Sequence, residues 1–263
     1  MVVIDKERCN GCGACIAECI AQNIDIEAGK AVVRRQCMEC GHCFAACLQN
    51  AVTLPDYPQD GIVEVGEAVA DAQGLLNLIK MRRSVRQYEK RPVEKEVIEQ
   101  ILQAGRFTAT ANNAQNVSYT VVQESLPTAK GYIWEGFANM IEAFKKIAGE
   151  EGRVRKFRSF YERSMADKSF DALFFDAPVL LIVTSPSRLS GSLAASTIEL
   201  MAQASGLGVL FSGFIERSIG HSEEAQTFLQ VDAAQICACM LLGYPDVTYQ
   251  RSVPRKQLDV QWK

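Results

Sequence analysis

Two copies of one cysteine pattern open this chain. Shifting the sequence by the separation of Cys9 and Cys37 superimposes Cys9, Cys12, Cys15 and Cys19 on Cys37, Cys40, Cys43 and Cys47. The match continues beyond the thiols: Ile4 falls on Val32, Gly13 on Gly41, Ala17 on Ala45, Ile20 on Leu48, Ile24 on Val52 and Ile26 on Leu54. The pattern is an internal duplication, and each half reads as short strand, cysteine loop, short helical turn and short strand. Eight of the ten cysteines lie between Cys9 and Cys47, so the first sixty or so residues form a metal-rich unit. A disulfide framework belongs to small secreted domains, and this chain of 263 residues is neither small nor visibly secreted. Met1-Val-Val-Ile-Asp-Lys-Glu-Arg carries charge too early for a signal-peptide core, and no apolar run reaches the roughly 20 residues of a membrane span. A cytoplasmic protein without a membrane partner is therefore expected, its closely spaced thiols serving as metal ligands.

The spacing C-x2-C-x2-C-x3-C suits an iron–sulfur cuboid, because a short looping chain wraps three corners while a more distant thiolate caps the fourth. Structural zinc, the alternative, typically uses separated pairs of ligands. Residues 1–54 resemble the bacterial-type two-cluster ferredoxins, in which the fourth cysteine of each run ligates the other cluster. That resemblance implies two [4Fe–4S] clusters, one on Cys9, Cys12, Cys15 and Cys47 and one on Cys37, Cys40, Cys43 and Cys19. Gly11, Gly13 and Gly41 suit loops whose amides crowd onto sulfide. Ile20 and Leu48 stand where that family usually has proline, and His42 reads as a solvated loop residue. Cys237 and Cys239, two apart on an apolar strand, are expected to share one face as core residues.

Pro55, Asp56, Pro58, Asp60 and Gly61 cluster as turn formers and end the first module. The organisation expected is a ferredoxin domain over 1–56, a linker over 57–71 and a second domain over 72–263. In the latter, Leu75, Leu76, Leu78 and Ile79 give a helical face ending at Met81-Arg-Arg-Ser-Val-Arg. Pro92 opens a second helix, with Val97, Ile98, Ile101 and Leu102 at helical spacing and Gly105 at its end. Residues 117–122, 177–184 and 233–243 are β-rich, and helical patterns fall near 132–149, 153–166, 189–205 and 222–230. The fold class expected is α+β, a sheet flanked by long helices.

Residues 72–263 resemble the nitroreductase superfamily in several ordered segments. The first is Arg82-Arg83-Ser84-Val85-Arg86, where guanidinium groups and a hydroxyl offer charge-assisted hydrogen bonds to a phosphate and a ribityl chain. Arg86 is a candidate for the flavin N1/O2 edge, where a cation stabilises the reduced anion. The second is Ala104-Gly-Arg-Phe-Thr-Ala-Thr-Ala-Asn-Asn-Ala-Gln-Asn, which resembles a loop that reaches FMN from the neighbouring subunit and so implies Ala109, Thr110, Ala111 and Asn113. Here Ala109-Thr110 replaces the common Pro-Ser, and Asn116-Val117 replaces Pro-Trp. The third is Gly206-Leu-Gly-Val-Leu-Phe-Ser-Gly-Phe; by resemblance Leu210, Ser212 and Gly213 line the ring, with the Ser212 amide a candidate donor to N5. The last is Gly243-Tyr-Pro followed by Arg251, Arg255 and Lys256, of which Arg255 and Lys256 are the expected phosphate ligands.

The resemblance implies FMN as cofactor and an intertwined homodimer. The function expected is an oxidoreductase passing electrons from the clusters to FMN and on to a small organic acceptor such as a nitroaromatic or quinone. An NAD(P)H-dependent nitro or flavin reductase exchanging electrons with a protein partner, and a non-catalytic redox carrier or sensor, remain the alternatives. With only two histidines in the chain, no Ser/His/Asp constellation is needed for this reading. Helices around 132–166, bearing Tyr132, Trp134, Phe137, Phe157, Phe160 and Tyr161, are placed to cover the pocket or to pack the core. The net charge of −3 excludes a basic field that would collect nucleic acid. Residues 1–60 hold five Lys/Arg against eight Asp/Glu, the whole of that charge, which points to a basic redox partner or simply to a solvated face.

Overall fold

The computed structural model describes residues 1–59, 62–63, 71–167 and 169–263. Most of the linker expected at 57–71, with Asp60 and Gly61, lies outside the described residues. The chain divides into two compact units, one of Met1–Val69 with Thr110–Ala114 and one of Ala70–Ala109 with Gln115–Lys263.

The first unit runs β1 (Val3–Ile4), α1 (Ala14–Ala17), β2 (Ile24–Glu27), β3 (Lys30–Val33), α2 (His42–Ala45) and β4 (Val52–Thr53). β1 pairs with β4 and β2 with β3, both antiparallel. Glu27 pairs with Lys30, so Ala28 and Gly29 form a two-residue turn with φ of 46° and 73°. Those left-handed angles match the twist of a tight hairpin. The duplication is visible in the backbone as well. Gly13 and Gly41 have φ of 82° and 77°, Gln22 and Asn50 both have 48°, and Gly11 at 72° has its counterpart in Glu39 at 53°. Val2, Ile24, Ala31, Ala51 and Val52 pack with Cys9, Cys15 and Cys43 in a small core.

The second unit contains α3 (Ala72–Met81), α4 (Lys95–Arg106), β5 (Ser118–Val122), α5 (Leu126–Phe144), α6 (Glu151–Ala166), β6 (Val179–Thr184), α7 (Arg188–Ala204), β7 (Gly208–Phe211), α8 (Gly213–Ile219), α9 (Glu223–Leu229) and β8 (Ile236–Gly243). The strands form one antiparallel sheet in the order β5-β6-β8-β7. Period-two alternation divides β6 cleanly. Leu180 and Ile182 join a core with Ile133, Phe137 and Met140 of α5 and Ile215 and Ile219 of α8. Val179, Leu181 and Val183 join a second core with Ile98 and Ile101 of α4 and Ala195, Ile198 and Ala202 of α7. The result is an α+β sandwich, with helices on both faces of the sheet.

Several elements differ from expectation for local reasons. α5 begins at Leu126 because Pro127 fits its first turn. Gly105 lies inside α4, where an added Cβ would come within 2.6 Å of Tyr119 Oη and 2.7 Å of Ile198 Cδ1. Close helix packing, not helix termination, therefore requires glycine there. β7 occupies part of the segment from Gly206 to Phe214, for which the sequence pattern gives no strand. Cys237 and Cys239 do not share a face: the β6–β8 register shifts between Val183 and Thr184, passing from Ala238 to Ile236. Cys237 is the bulged residue and crowds Gly191 of α7, whereas Cys239 enters the core beneath α5. Burial raises the pKa of both thiols. Among the described residues, no helix is long and apolar enough to cross a membrane.

Candidate functional site

The eight clustered cysteines line two small cavities. Cys9, Cys12, Cys15 and Cys47 line one, together with Gly11 and Gly13. Cys19, Cys37, Cys40 and Cys43 line the other, together with Gly41 and His42. Each cavity thus takes three thiols from one run and the last thiol of the other. Among the described residues, no three Cys, His, Asp or Glu side chains converge as ligands of a single metal ion.

Backbone amides already address the sulfurs. Asn23 N–H donates to Cys19 Sγ and, at the duplicate position, Ala51 N–H donates to Cys47 Sγ, both at 3.3 Å. Glu39 N–H donates to Cys37 Sγ and Ala31 N–H to Cys9 Sγ, again at 3.3 Å. Hydrogen bonds from Ala31 and Gly11 lower the pKa of Cys9, whereas burial raises those of Cys15 and Cys43. Amides aimed at sulfur favour the thiolate form that metal ligation requires. The chemistry and placement of these donors fit iron–sulfur clusters.

In the second unit, Ser84 bridges Val209 in parallel fashion, and Val85 N–H donates to Val209 O at 3.0 Å. Gly208 makes this approach possible, since a Cβ there would sit 2.6 Å from Val85 Cγ2. One cavity beside this crossing, of about 340 Å³, is lined by Arg82, Arg83, Glu199, Gln203 and residues 206–209. Arg82 Nη1 donates to Glu199 Oε1 at 2.8 Å, and the carboxylate side chain is only 8% exposed. A second cavity, also of about 340 Å³, is lined by Arg86, Phe160, Phe175, Leu210, Ser212, Gly213, Phe214 and Arg217. An added Cβ at Gly213 would meet nothing within 4 Å, so the protein leaves open space there. Cavity size, cations and an unfilled glycine cradle fit a planar anionic cofactor.

The structure redistributes the remaining expected residues. Ser212 N–H, the candidate N5 donor, donates to Cys239 O at 2.8 Å and is thus engaged in the sheet. Gly213, the first residue of α8, offers an amide without an intrahelical acceptor in its place. Asn113 donates to Met38 O and Glu39 O at 3.4 and 3.1 Å, inside the first unit. Ala111 lies with it in a single 3-10 turn, preceded by Thr110 and Ala109. Arg255 and Lys256 lie exposed in a C-terminal tail without helix or strand. Phe160 and Phe214 line the cavity, while Trp134, Phe137 and Phe157 pack against them and one another in tilted and edge-on pairs. Glu199, Phe175 and Arg217 were not legible as site residues. Glu199 left a trace, as the lone acid in α7; Arg217 left one only once α8 is known to start at Gly213, one turn earlier.

An antiparallel α+β sandwich joined to a duplicated cysteine module defines a redox class of protein. Residues 79–244 match the nitroreductase family, and residues 1–48 match the 4Fe-4S dicluster domain. The chain belongs to the nitroreductase family and is an oxidoreductase that also carries a 4Fe–4S ferredoxin domain. Similar solved structures include a nitroreductase with bound FMN from Bacteroides fragilis, at a TM-score of 0.54 and 20% identity, covering 72% of this chain and 98% of that one. A nitroreductase with bound FMN from Desulfitobacterium hafniense gives 0.52 and 20%, covering 71% and 98%. A BluB-like flavoprotein from Clostridium difficile gives 0.54 and 18%, covering 72% and 96%. No curated protein matches the chain.

Proposed function

We propose that this chain moves electrons from two [4Fe–4S] clusters to FMN and on to a small organic acceptor. The observation carrying the reading is the division of eight thiols into two four-cysteine cavities on a chain of the nitroreductase family. Cys9, Cys12, Cys15 and Cys47 hold one cluster, and Cys37, Cys40, Cys43 and Cys19 hold the other. Arg86, Leu210, Gly213 and the Ser212 backbone surround the flavin ring. Arg82, Arg83 and Ser84, with Arg255 and Lys256 of the tail, serve its phosphate and ribityl groups. FMN supplies two-electron chemistry when bound, and the protein positions the acceptor and tunes the potential. Fusion on one chain raises the effective concentration of donor and acceptor centres.

The functional unit is a homodimer in the reducing cytoplasm, with Ala109, Thr110, Ala111 and Asn113 serving the neighbouring subunit's flavin. Support for pairing comes from α3, which buries none of its residues and exposes Leu75, Leu76 and Ile79. Leu258 and Trp262 of the tail are more than 90% exposed.

Anaerobic purification with iron, sulfide and flavin analysis tests the reading. About eight irons and one FMN per chain are expected from two four-iron clusters; another stoichiometry refutes the cofactor assignment. Stopped-flow reduction then separates donors: slow flavin bleaching by NAD(P)H with rapid bleaching by reduced ferredoxin supports entry through the clusters. The reverse pattern overturns the direction of flow.

A further inference from the structure

The cavity around Arg86 holds more positive charge than a flavin edge alone explains. Its lining includes two guanidinium groups, Arg86 and Arg217, and no carboxylate. The neighbouring acid on α8, Glu216, is engaged by Arg188 at 3.1 Å. Among the described residues, neither Arg86 nor Arg217 takes part in an ion pair within 4 Å. Apart from Ser212 and Gly213, the rest of the wall is aromatic or aliphatic, chiefly Phe160, Phe175, Phe211, Phe214, Leu173 and Leu210.

Arg86 stacks toward Phe175, with its Cζ 5.9 Å from the ring centroid. Arg217 stands one helical turn beyond Gly213, on the same side of α8, and is exposed. Phe211 and Phe214 are each 40% exposed, so the rim of the cavity between strand and helix is both apolar and cationic. A flat aromatic body with an anionic substituent satisfies both features at once, and a neutral one leaves Arg217 without a counter-charge.

We propose that the acceptor is an aromatic anion, a carboxylate or phenolate, whose charged group is bound by Arg217 while its ring packs against Phe160 and Phe214. This rests on the flavin reading, since Arg86 is assigned to the cofactor and Arg217 is thereby left for the acceptor. Arg217 is a specificity determinant: it selects which ring enters and leaves the redox chemistry to the flavin.

The test compares 4-nitrobenzoate with 4-nitrobenzamide, nearly isosteric rings that differ in charge. Each is titrated into the oxidised holoprotein, with Kd read from the flavin absorbance and from calorimetry. Wild type is expected to prefer the anion. Arg217→Gln lowers the affinity ratio of anion to amide by about 10- to 100-fold, the size of one charge-assisted hydrogen bond. Arg217→Lys restores part of the ratio. An unchanged ratio in Arg217→Gln overturns the proposal, as does loss of FMN from that variant, which would assign Arg217 to the cofactor. If the wild-type chain binds no FMN, the flavin reading itself fails. Calorimetry of the two compounds on the flavin-free chain then decides the Arg217 contact separately.

Discussion

The two units reach stability by different routes. The first buries eight residues in its core cluster, three of them cysteines, and its strands are two to four residues long. The second encloses a sheet between two helical layers, with Phe137, Phe174, Met140 and Ile198 among its fully buried side chains. A unit so small lacks apolar area to offset chain entropy, so ligand binding must supply folding free energy. The second unit stands on hydrophobic burial. One chain therefore joins a cofactor-dependent fold to a cofactor-receiving one.

Iron removal breaks this comparison most sharply. Anaerobic chelation is expected to abolish hydrogen-exchange protection across residues 1–54 while amides of β6 and β8 stay protected; coincident loss in both units would refute independent stabilisation. Next in size is Phe137→Ala, expected to cost about 3–5 kcal/mol in the second unit through cavity formation. Iron content should be unaffected, as denaturant melting followed by metal analysis will show. Arg82→Ala leaves Glu199 buried without its partner and is expected to cost about 1–3 kcal/mol, less than a fully buried pair because Arg82 is 32% exposed. The double variant Arg82→Ala with Glu199→Gln should recover part of that loss, and calorimetric melting of both variants checks it.

The last two substitutions, of comparable and then of smaller effect, probe the two halves of the first unit. Gly11→Ala puts a Cβ 2.3 Å from Gly29 O at a positive φ, so backbone must move, at a cost of about 1–3 kcal/mol. Glu39, at the duplicate position, already pays for a left-handed φ of 53°. Glu39→Gly relieves that strain but removes the ion pair from Glu39 to the N-terminus at 2.7 Å, so a net gain well under about 1 kcal/mol is expected. Chelator-challenge half-lives of the clusters rank these variants, and equal responses would show that the halves are energetically equivalent.

Legibility differed between the units for a physical reason. Metal ligation by a short loop is a local problem, so the spacing of Cys9, Cys12 and Cys15 states it directly. The crossed fourth thiols became readable only through the ferredoxin resemblance, and the cavities lined by Cys47 and Cys19 follow that division. In the flavin unit, periodicity exposed the long helices and three strands. It missed β7, a strand of four residues too short to show a period, and it misjudged the faces of Cys237 and Cys239 across a bulge.

The sequence alone determined a duplicated thiol framework and an α+β partner domain of the nitroreductase family, because both are written in local spacing and ordered motifs. Tertiary structure alone decided that the Ser212 amide belongs to Cys239, that Glu199 neutralises Arg82, and that Arg217 shares a cavity with Arg86. Each of these depends on a long-range contact, which no periodicity along the chain encodes.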